Sequence, residues 1–170
     1  MMEGLKFRLL TASEIEVRVA TISDKGCSLL LYKDARCDMN ILDETVGANR
    51  WQRKHYECKG NLFCSVGIDF DGYWIWKDDC GSESYTEKEK GEASDSFKRA
   101  CFNWGIGREL YTAPFIWIPA DKVNITKKND KTITYDKFRV EKIACNDKRQ
   151  ISGLAIQNDK KGRVFVWERK

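Results

Sequence analysis

Two hairpin signals that join three strand-like segments constrain the fold of this chain more than any other feature. Residues 51–58, 62–70 and 73–77 are rich in aromatic and β-branched residues or alternate polar with apolar side chains, as strands do. The connections are Lys59-Gly60-Asn61 and Asp71-Gly72, and short links that contain glycine favour tight hairpin turns. The segment therefore predicts a three-stranded antiparallel meander.

A helix is predicted directly after the meander, over residues 86–104. Thr86 followed by Glu89 forms a capping-box pattern, in which the two side chains satisfy the first free amides of a helix. Gly105 and Gly107 end the helix, since glycine adopts the left-handed backbone of a C-cap. The residues expected on its buried face recur at helical spacing and are Ala93, Phe97, Ala100, Cys101 and Trp104.

The remaining segments predict both helix and strand, and hence the α+β class. Before the meander we expect two strands and a helix, over residues 14–22, 28–32 and 34–46. Past Pro114 we expect a hairpin or ribbon that extends the main sheet, with strands over residues 133–144, 150–157 and 163–167. The polar segment 122–131 is predicted to be a mobile loop. The expected fold is an antiparallel sheet with a β-β-β-α core, the second helix packed on it and a C-terminal β-ribbon added.

Length and composition fit one domain without a membrane segment. With 170 residues, of which 33% are charged and 12% aromatic, the chain can form one sizeable core, and we expect a single domain over residues 1–170. No run approaches the roughly 18 apolar residues of a membrane span, and the first ten residues lack the features of a secretion signal. We therefore expect no membrane association and a cytoplasmic location.

The cysteines do not predict a metal site. There are seven of them, without any CxxC pair, and His55 is the one histidine of the chain. A zinc site would need four ligands at closer spacing. We expect the cysteines to be reduced and mostly to fill apolar space, and we expect no metal and no other cofactor.

Positive charge is concentrated in the last third of the chain. Residues 111–170 contain 14 Lys and Arg against 7 Asp and Glu, whereas residues 1–110 contain 16 against 19. A basic segment beside a near-neutral body is typical of a protein that binds a polyanion. It is also common on surfaces that only keep a protein soluble.

Lys98 and Arg99 are adjacent cations in the second half of the predicted helix. They lie beside the small residues Gly91 and Ser94, a combination that suits a phosphate backbone. The alternative is structural, because Asp95 and Glu92, one and two turns earlier, could pair with Arg99 on the helix surface. The helix by itself leaves both interpretations open.

Two longer motifs resemble one known family. The stretch EASDSFKRACFNWGIGRELY (residues 92–111) is similar to the signature helix of the Rad fifty-two superfamily of single-strand annealing proteins, above all its phage and prophage members. The stretch SLLLYKDARCDMNILDETVGANRW (residues 28–51) and the strands that follow resemble the same family. The similarity covers most of residues 13–118, and residues 119–170 form a basic extension that resembles only the phage-type members.

The resemblance implies binding of single-stranded DNA and ATP-independent annealing of complementary strands, in phage or prophage recombination and DNA repair. Lys98 and Arg99 fall where the family's helix carries its DNA-contacting pair, whereas Phe102 stands where well-studied members have another arginine. The further basic residues that the resemblance or their exposed surroundings suggest as DNA contacts are Lys33, Arg36, Arg50, Arg53, Lys54 and Arg108. For Trp51, which lies among them, packing in the core is expected instead.

The implied mechanism is non-catalytic and depends on assembly. Copies of the chain are expected to form a ring or helical arc with one continuous groove, in which base pairing supplies the free energy of annealing. A single-strand-binding protein or an exonuclease would be a further partner. Tyr73, Trp74, Ile75 and Trp76 alternate along one strand, and the more exposed face is a candidate subunit interface, with core packing for at least one tryptophan.

An enzyme is not expected. The Gly-Ile-Gly loop after the helix lacks the GxxxxGK[ST] pattern of a phosphate-binding loop. A two-metal nuclease would need clustered carboxylates, and the candidates, which lie at turns and strand ends where such residues are common, are Asp69, Asp71, Asp78, Asp79 and Glu83. The main alternative to annealing is an accessory protein of a mobile element, whose basic ribbon would bind a protein or duplex DNA.

Overall fold

The computed structural model describes residues 4–82 and 88–170, with the backbone alone for 88–90. In this range the chain has the α+β class that its sequence predicts. The helices are α1 (Ala35–Val46) and α2 (Lys88–Trp104), and short 3-10 turns lie at Ala12–Glu14, Arg108–Thr112 and Ala120–Lys122. The strands are β1 (Glu16–Ser23), β2 (Gly26–Tyr32), β3 (Trp51–Cys58), β4 (Asn61–Phe70), β5 (Tyr73–Cys80), β6 (Ile116–Pro119), β7 (Thr126–Lys128), β8 (Lys131–Ile133), β9 (Phe138–Cys145), β10 (Ile151–Asn158) and β11 (Gly162–Glu168).

The chain divides into two compact units. The first comprises the chain up to Leu9 together with Lys33–Arg108, and the second comprises Leu10–Tyr32 together with Glu109–Lys170. The first unit contains α1, the strands β3 to β5 and α2, and the second contains the other strands. The single domain over residues 1–170 stays a prediction.

The meander of the first unit is confirmed. Strands β3, β4 and β5 pair antiparallel in that order, without a break in register. Lys59 and Gly60 have φ of 53° and 75°, and Asp71 and Gly72 have φ of 53° and 98°. Two successive residues with positive φ make the turn type whose twist matches a β-hairpin, so both glycine-containing links act as predicted.

Helix α2 packs on one side of this sheet. Phe97, Ala100 and Cys101 are fully buried, as their spacing predicts, and they face a sheet whose buried side chains include Cys64 and Val66 of β4. The predicted capping box depends on Thr86 and on the Glu89 side chain, which lie outside the described part of the chain. The three strands and the helix therefore form two packed layers, the β3–β5 sheet and α2.

Helix α1 is bounded by local signals. The Asp34 carboxylate accepts hydrogen bonds from the Arg36 and Cys37 amides at its start, and Gly47, with φ of 89°, ends it. Ile41 and Leu42 are fully buried. The predicted helix is thus confirmed, with Asp34 acting as its N-cap rather than as its first residue.

The second unit is built on a six-stranded antiparallel sheet in the order β11-β10-β9-β1-β2-β6. The outer strands β11 and β6 also contact each other, so the sheet comes close to closing into a barrel. Its fully buried side chains include Ile118, Ile151 and Ile156. The expected C-terminal ribbon is present as β9 to β11, but it joins β1 rather than the meander, which has a sheet of its own.

Two expectations for the last third of the chain are wrong. The segment expected as a loop contains most of the hairpin β7–β8, whose turn residues Asn129 and Asp130 have φ of 50° and 59°. The strand expected over residues 133–144 is interrupted, because 134–137 leave the strand conformation and bring Asp136 into a buried position. The hairpin was not predicted because its polar turn residues, which have positive φ, lie in a segment without hydrophobic alternation. In the described part of the chain, no helix has the length and apolar character needed to cross a membrane.

Candidate nucleic-acid interface

The β3–β5 sheet has two different faces. Side chains of β4 alternate, and Cys64, Val66 and Ile68 point to the face that α2 covers. The other face is solvent-exposed at many positions, and we call it the open face. From the pairing register, its residues include Gln52, Lys54, Tyr56, Phe63, Ser65, Gly67, Asp69, Trp74, Trp76 and Asp78.

Lys98 and Arg99 lie on the helix side of the sheet and differ in their partners. The Arg99 Nε lies 3.3 Å from Asp79 Oδ1 of β5. Glu92 and Asp95, the acids expected to neutralise Arg99 in the structural alternative, accept bonds from the amides of Leu62 and Ser82. The Lys98 ammonium makes no ion pair in the described residues. Lys98 is half-buried, and its charge favours the ionised form of the buried Asp38.

Lys33 does not lie where the resemblance implies. Its side chain is 1% exposed, and its ammonium forms an ion pair with the buried Asp38. The same ammonium donates to the Lys98 carbonyl at 3.2 Å and lies 4.2 Å from the centre of the Phe102 ring. Burial raises the pKa of Asp38 to about 6, although the adjacent Lys33 opposes this shift. The interaction holds α1 and α2 together, and Lys33 has no exposed charge to offer to DNA.

The same contact explains Phe102, the position where the sequence departs from the family. An arginine at 102 would bring a second cation next to the buried Lys33 ammonium, with one carboxylate to serve both. A phenyl ring instead offers its negative face to that ammonium. Phe102 and Lys33 are thus compatible with each other in the interior.

Three further predicted contacts have structural partners. Arg50 pairs with Asp71 at 2.7 Å and with Asp69 at 3.6 Å. Arg108 donates to the carbonyls of Phe102 and Asn103 at the end of α2, which also accept from the Gly105 amide and the Lys77 ammonium. The third, Arg36, pairs with the N-cap Asp34 at 3.0 Å but is 83% exposed. Each could reach a phosphate only in addition to the role that it has in the fold.

Arg53 and Lys54 form no ion pair with an acidic side chain in the described residues. The Arg53 guanidinium lies 4.6 Å from the centre of the Phe97 ring on the helix side. The Lys54 ammonium lies 4.4 Å from the centre of the Trp76 ring on the open face. Since consecutive residues of a strand point to opposite faces, the two cations serve different surfaces.

Two tryptophans occupy the open face. Their ring centres are 5.9 Å apart with an angle of 29° between the planes, and Trp74 is 39% exposed. Trp76 covers Gly67 so closely that a Cβ at Gly67 would lie 2.7 Å from its ring carbons. A glycine across the strand pair therefore lets an indole lie against the sheet. The sequence analysis named both tryptophans as interface candidates but missed this role of Gly67, for which the only signal was a glycine inside a strand.

Polar groups fill the other end of the open face. The Tyr56 hydroxyl donates to Asp78 at 2.8 Å, and the Ser65 hydroxyl donates to the same carboxylate. The bond to Asp78 raises the pKa of Tyr56. The Tyr56 ring stacks on Phe63 with a centroid distance of 5.5 Å. The face thus combines aromatic rings, one available lysine and a carboxylate whose bonds lie within the fold.

The residues that could serve as metal ligands or nucleophiles do not form a site in the described residues. No group of three or more His, Cys, Asp and Glu side chains in the described residues is placed to hold a metal ion, and Glu83 lies outside them. In the described part of the chain, none of the seven cysteines forms a disulfide. Burial raises the pKa of Cys64 to about 11 and that of Cys101 well above its usual value, so these thiols are poor nucleophiles.

No family model, no curated protein and no solved structure matches this chain. The assignment of a function therefore depends on the residues of the site and on the resemblance of its motifs.

Proposed function

We propose that this protein binds single-stranded DNA and anneals complementary strands without ATP, as a homo-oligomer. The proposal agrees with the resemblance of residues 28–51 and 92–111 to single-strand annealing proteins. It needs a surface that takes up bases without reading their sequence, together with cations that contact phosphates.

The open face of the β3–β5 sheet is the observation that carries the proposal. Aromatic rings on an exposed sheet bind single strands because every base has a flat face that can stack, at about 1–3 kcal/mol per base. Trp74 offers an exposed indole, and Trp76 lies beside it against Gly67. Lys54 supplies a positive charge next to the rings, without an acidic partner in the described residues.

The helix side offers a second set of contacts. Lys98 and Arg99 belong to α2, and the resemblance assigns them to phosphates. Arg53 lies on the same side of the sheet, over Phe97. A strand that contacts both faces would have to pass around an edge of the sheet, so we treat the two faces as separable sites.

Stacking also explains how a bound strand could be annealed. Bases that stack on indole rings use their flat faces and leave their pairing edges unused by the protein. A second strand can then test these edges, and base pairing supplies the free energy, so that neither a nucleotide nor a metal takes part. The protein's contribution is to hold the strand extended and to reduce phosphate repulsion.

The test is the binding of a labelled oligothymidine, followed by fluorescence anisotropy. Trp74→Ala together with Lys54→Ala should weaken binding about tenfold, since one stacked base and one phosphate contact are lost. Tyr73→Ala is the matched control, because Tyr73 is 79% exposed and lies on the same strand but on the opposite face.

The outcomes separate the alternatives. A wild-type protein that binds no oligonucleotide at low salt would contradict the proposed function. Binding that is insensitive to the Trp74 and Lys54 changes but lost in a Lys98→Ala, Arg99→Ala variant would assign the strand to the helix side. Equal binding to duplex and single strands would favour an accessory DNA-binding role over annealing.

A further inference from the structure

Strand β3 forms an uncovered edge of its sheet over eight residues. It pairs with β4 alone, and residues 52–60 are all exposed. The Asp69 amide donates to the Arg50 carbonyl, and the register runs unbroken from there to the turn. Bonded and non-bonded positions alternate in an antiparallel pair, so Gln52, Lys54 and Tyr56 direct their backbone groups to β4. Arg53, His55 and Glu57 direct theirs outward.

These outward groups have no partner in the described residues. Neither the amides nor the carbonyls of Arg53, His55 and Glu57 take part in any hydrogen bond there. The opposite edge, β5, is partly covered: the Asn103 side chain donates to the Asp78 carbonyl, and Asp79 accepts from the Cys80 amide. The β3 edge is therefore the one that can still extend the sheet.

We propose that β3 pairs antiparallel with β3 of a second copy of this chain, about a two-fold axis at His55. This register sets Arg53 opposite Glu57 of the partner, twice by symmetry, and Lys54 opposite Tyr56. Opposite charges and a cation beside an aromatic ring both favour a cross-strand pair. Every outward amide and carbonyl from Arg53 to Glu57 gains a partner.

Other two-fold registers fit less well. An axis at Arg53 or at Lys54 would place two like charges directly opposite each other, which is destabilising. An axis at Tyr56 would set Arg53 against Lys59. Because Lys59 lies in the turn after β3, the outward backbone groups of Arg53 would lack a partner within the strand. Charge complementarity therefore selects one register and one partner, which is a second copy.

Within the first unit, α2 leaves the backbone edge of β3 open. The helix packs mainly on β4 and β5, and the His55 ring meets it through a bond with the Ala93 carbonyl on the helix side of the sheet. Paired residues of neighbouring strands point their side chains to the same face of a sheet. The two open faces would therefore join into one face of a six-stranded sheet. A two-fold contact closes on itself, so a larger assembly would need a second, different contact as well. The inference holds whether or not the chain binds DNA.

Cysteine cross-linking tests the axis directly. In a Cys58→Ser background, His55→Cys should form a disulfide-linked dimer under mild oxidation, because directly paired Cα atoms lie about 5.5 Å apart, within disulfide range. The control is Glu57→Cys in the same background. Its two copies would lie roughly 14 Å apart, so it should not cross-link. Equal cross-linking of both variants would overturn the register, and a His55→Cys variant that is folded but not cross-linked would overturn the interface.

A charge exchange tests the same contact without cysteine. Arg53→Glu should raise the dimer dissociation constant about tenfold, since two favourable pairs become repulsive. Adding Glu57→Arg should restore the wild-type value. The dissociation constant is measured by static light scattering over a concentration series. A thermal melt shows that each variant is folded. Dimerisation of Arg53→Glu at the wild-type constant, or failure of the second change to restore it, would contradict the proposal.

Discussion

The basic side chains of the first unit form two groups: those held by partners within the fold and those without an ion pair in the described residues. Lys33, Arg50 and Arg108 belong to the first group, since each is held by carboxylates or by carbonyls. Lys54 and Lys98 have no ion pair in the described part of the chain. The difference decides which substitutions affect folding and which affect binding.

The buried pair of Lys33 and Asp38 should matter for stability. Asp38→Asn should lower the free energy of unfolding by about 3–5 kcal/mol at pH 7, because a buried ammonium would lose its anion. Replacing both partners, with Lys33→Met and Asp38→Leu, should recover most of this loss. Urea unfolding measures both values. A stable Asp38→Asn variant would show that the ammonium is not buried as described.

The pair Lys98 and Arg99 should matter for annealing. Lys98→Ala with Arg99→Ala should reduce the annealing rate of complementary oligonucleotides about tenfold or more, because phosphate contacts are lost in every subunit. The melting temperature should change little. Lys25→Ala is the control, since Lys25 is exposed at the turn between β1 and β2 and is not among the candidate DNA contacts. If the double variant anneals at the wild-type rate while folded and assembled, α2 does not hold the strand.

At the scale of elements, a few packing contacts position each surface. The Trp76 ring lies against Gly67 of the neighbouring strand, and Asp136, between β8 and β9, accepts hydrogen bonds from Asn124 and Asn158. Both contacts join residues that are far apart along the chain or on different strands.

Gly67→Ala should move the Trp76 ring. An added Cβ would lie 2.7 Å from the ring carbons, too close for any real contact. The indole must turn away from the sheet, so tryptophan emission should shift to longer wavelength and oligothymidine binding should weaken. The same change in a Trp76→Phe background is the control and should leave the emission unchanged. An unaltered spectrum in the first variant would mean that the ring is not seated on Gly67.

Asp136 should make stability depend on acid. Burial favours its neutral form, but bonds from Asn124, Asn158 and Lys160 hold its pKa at about 2. A carboxyl whose pKa is lower in the folded state stabilises the fold above its unfolded pKa, and the benefit is lost as pH falls from about 4 to 2. Asp136→Asn should therefore cost about 2 kcal/mol at pH 6 and much less near pH 2, as measured by urea unfolding at both values. A cost that is independent of pH would contradict this role.

At the scale of the whole molecule, binding and assembly should be linked. If each subunit neutralises about 3–4 phosphates, the slope of log affinity against log salt should be near −2 to −3 per subunit. On DNA the particle should exceed a dimer, which light scattering can determine. A flat salt response would mean that contacts to bases dominate, and a 19.7 kDa monomer with and without DNA would contradict annealing by an assembly.

Much of the fold could be predicted where the signals are local. The hairpins at Lys59-Gly60 and Asp71-Gly72 follow from turn chemistry, and the buried face of α2 follows from helical spacing. The hairpin β7–β8 escaped prediction because its turn uses Asn129 and Asp130 in a left-handed conformation, within a segment too polar to show alternation. Strand β6, with four residues, is too short to stand out.

The sequence by itself determined most of the elements, since periodicity and turn residues act over a few neighbours along the chain. Only the tertiary structure decided what each charge does. Along the chain, Lys33 and Lys98 are both single cations in polar surroundings. In the structure, Lys33 forms an ion pair with Asp38 in the interior, whereas Lys98 forms no ion pair with a described residue. Ion pairing and desolvation depend on distances across elements, and strand register and helix packing set these distances.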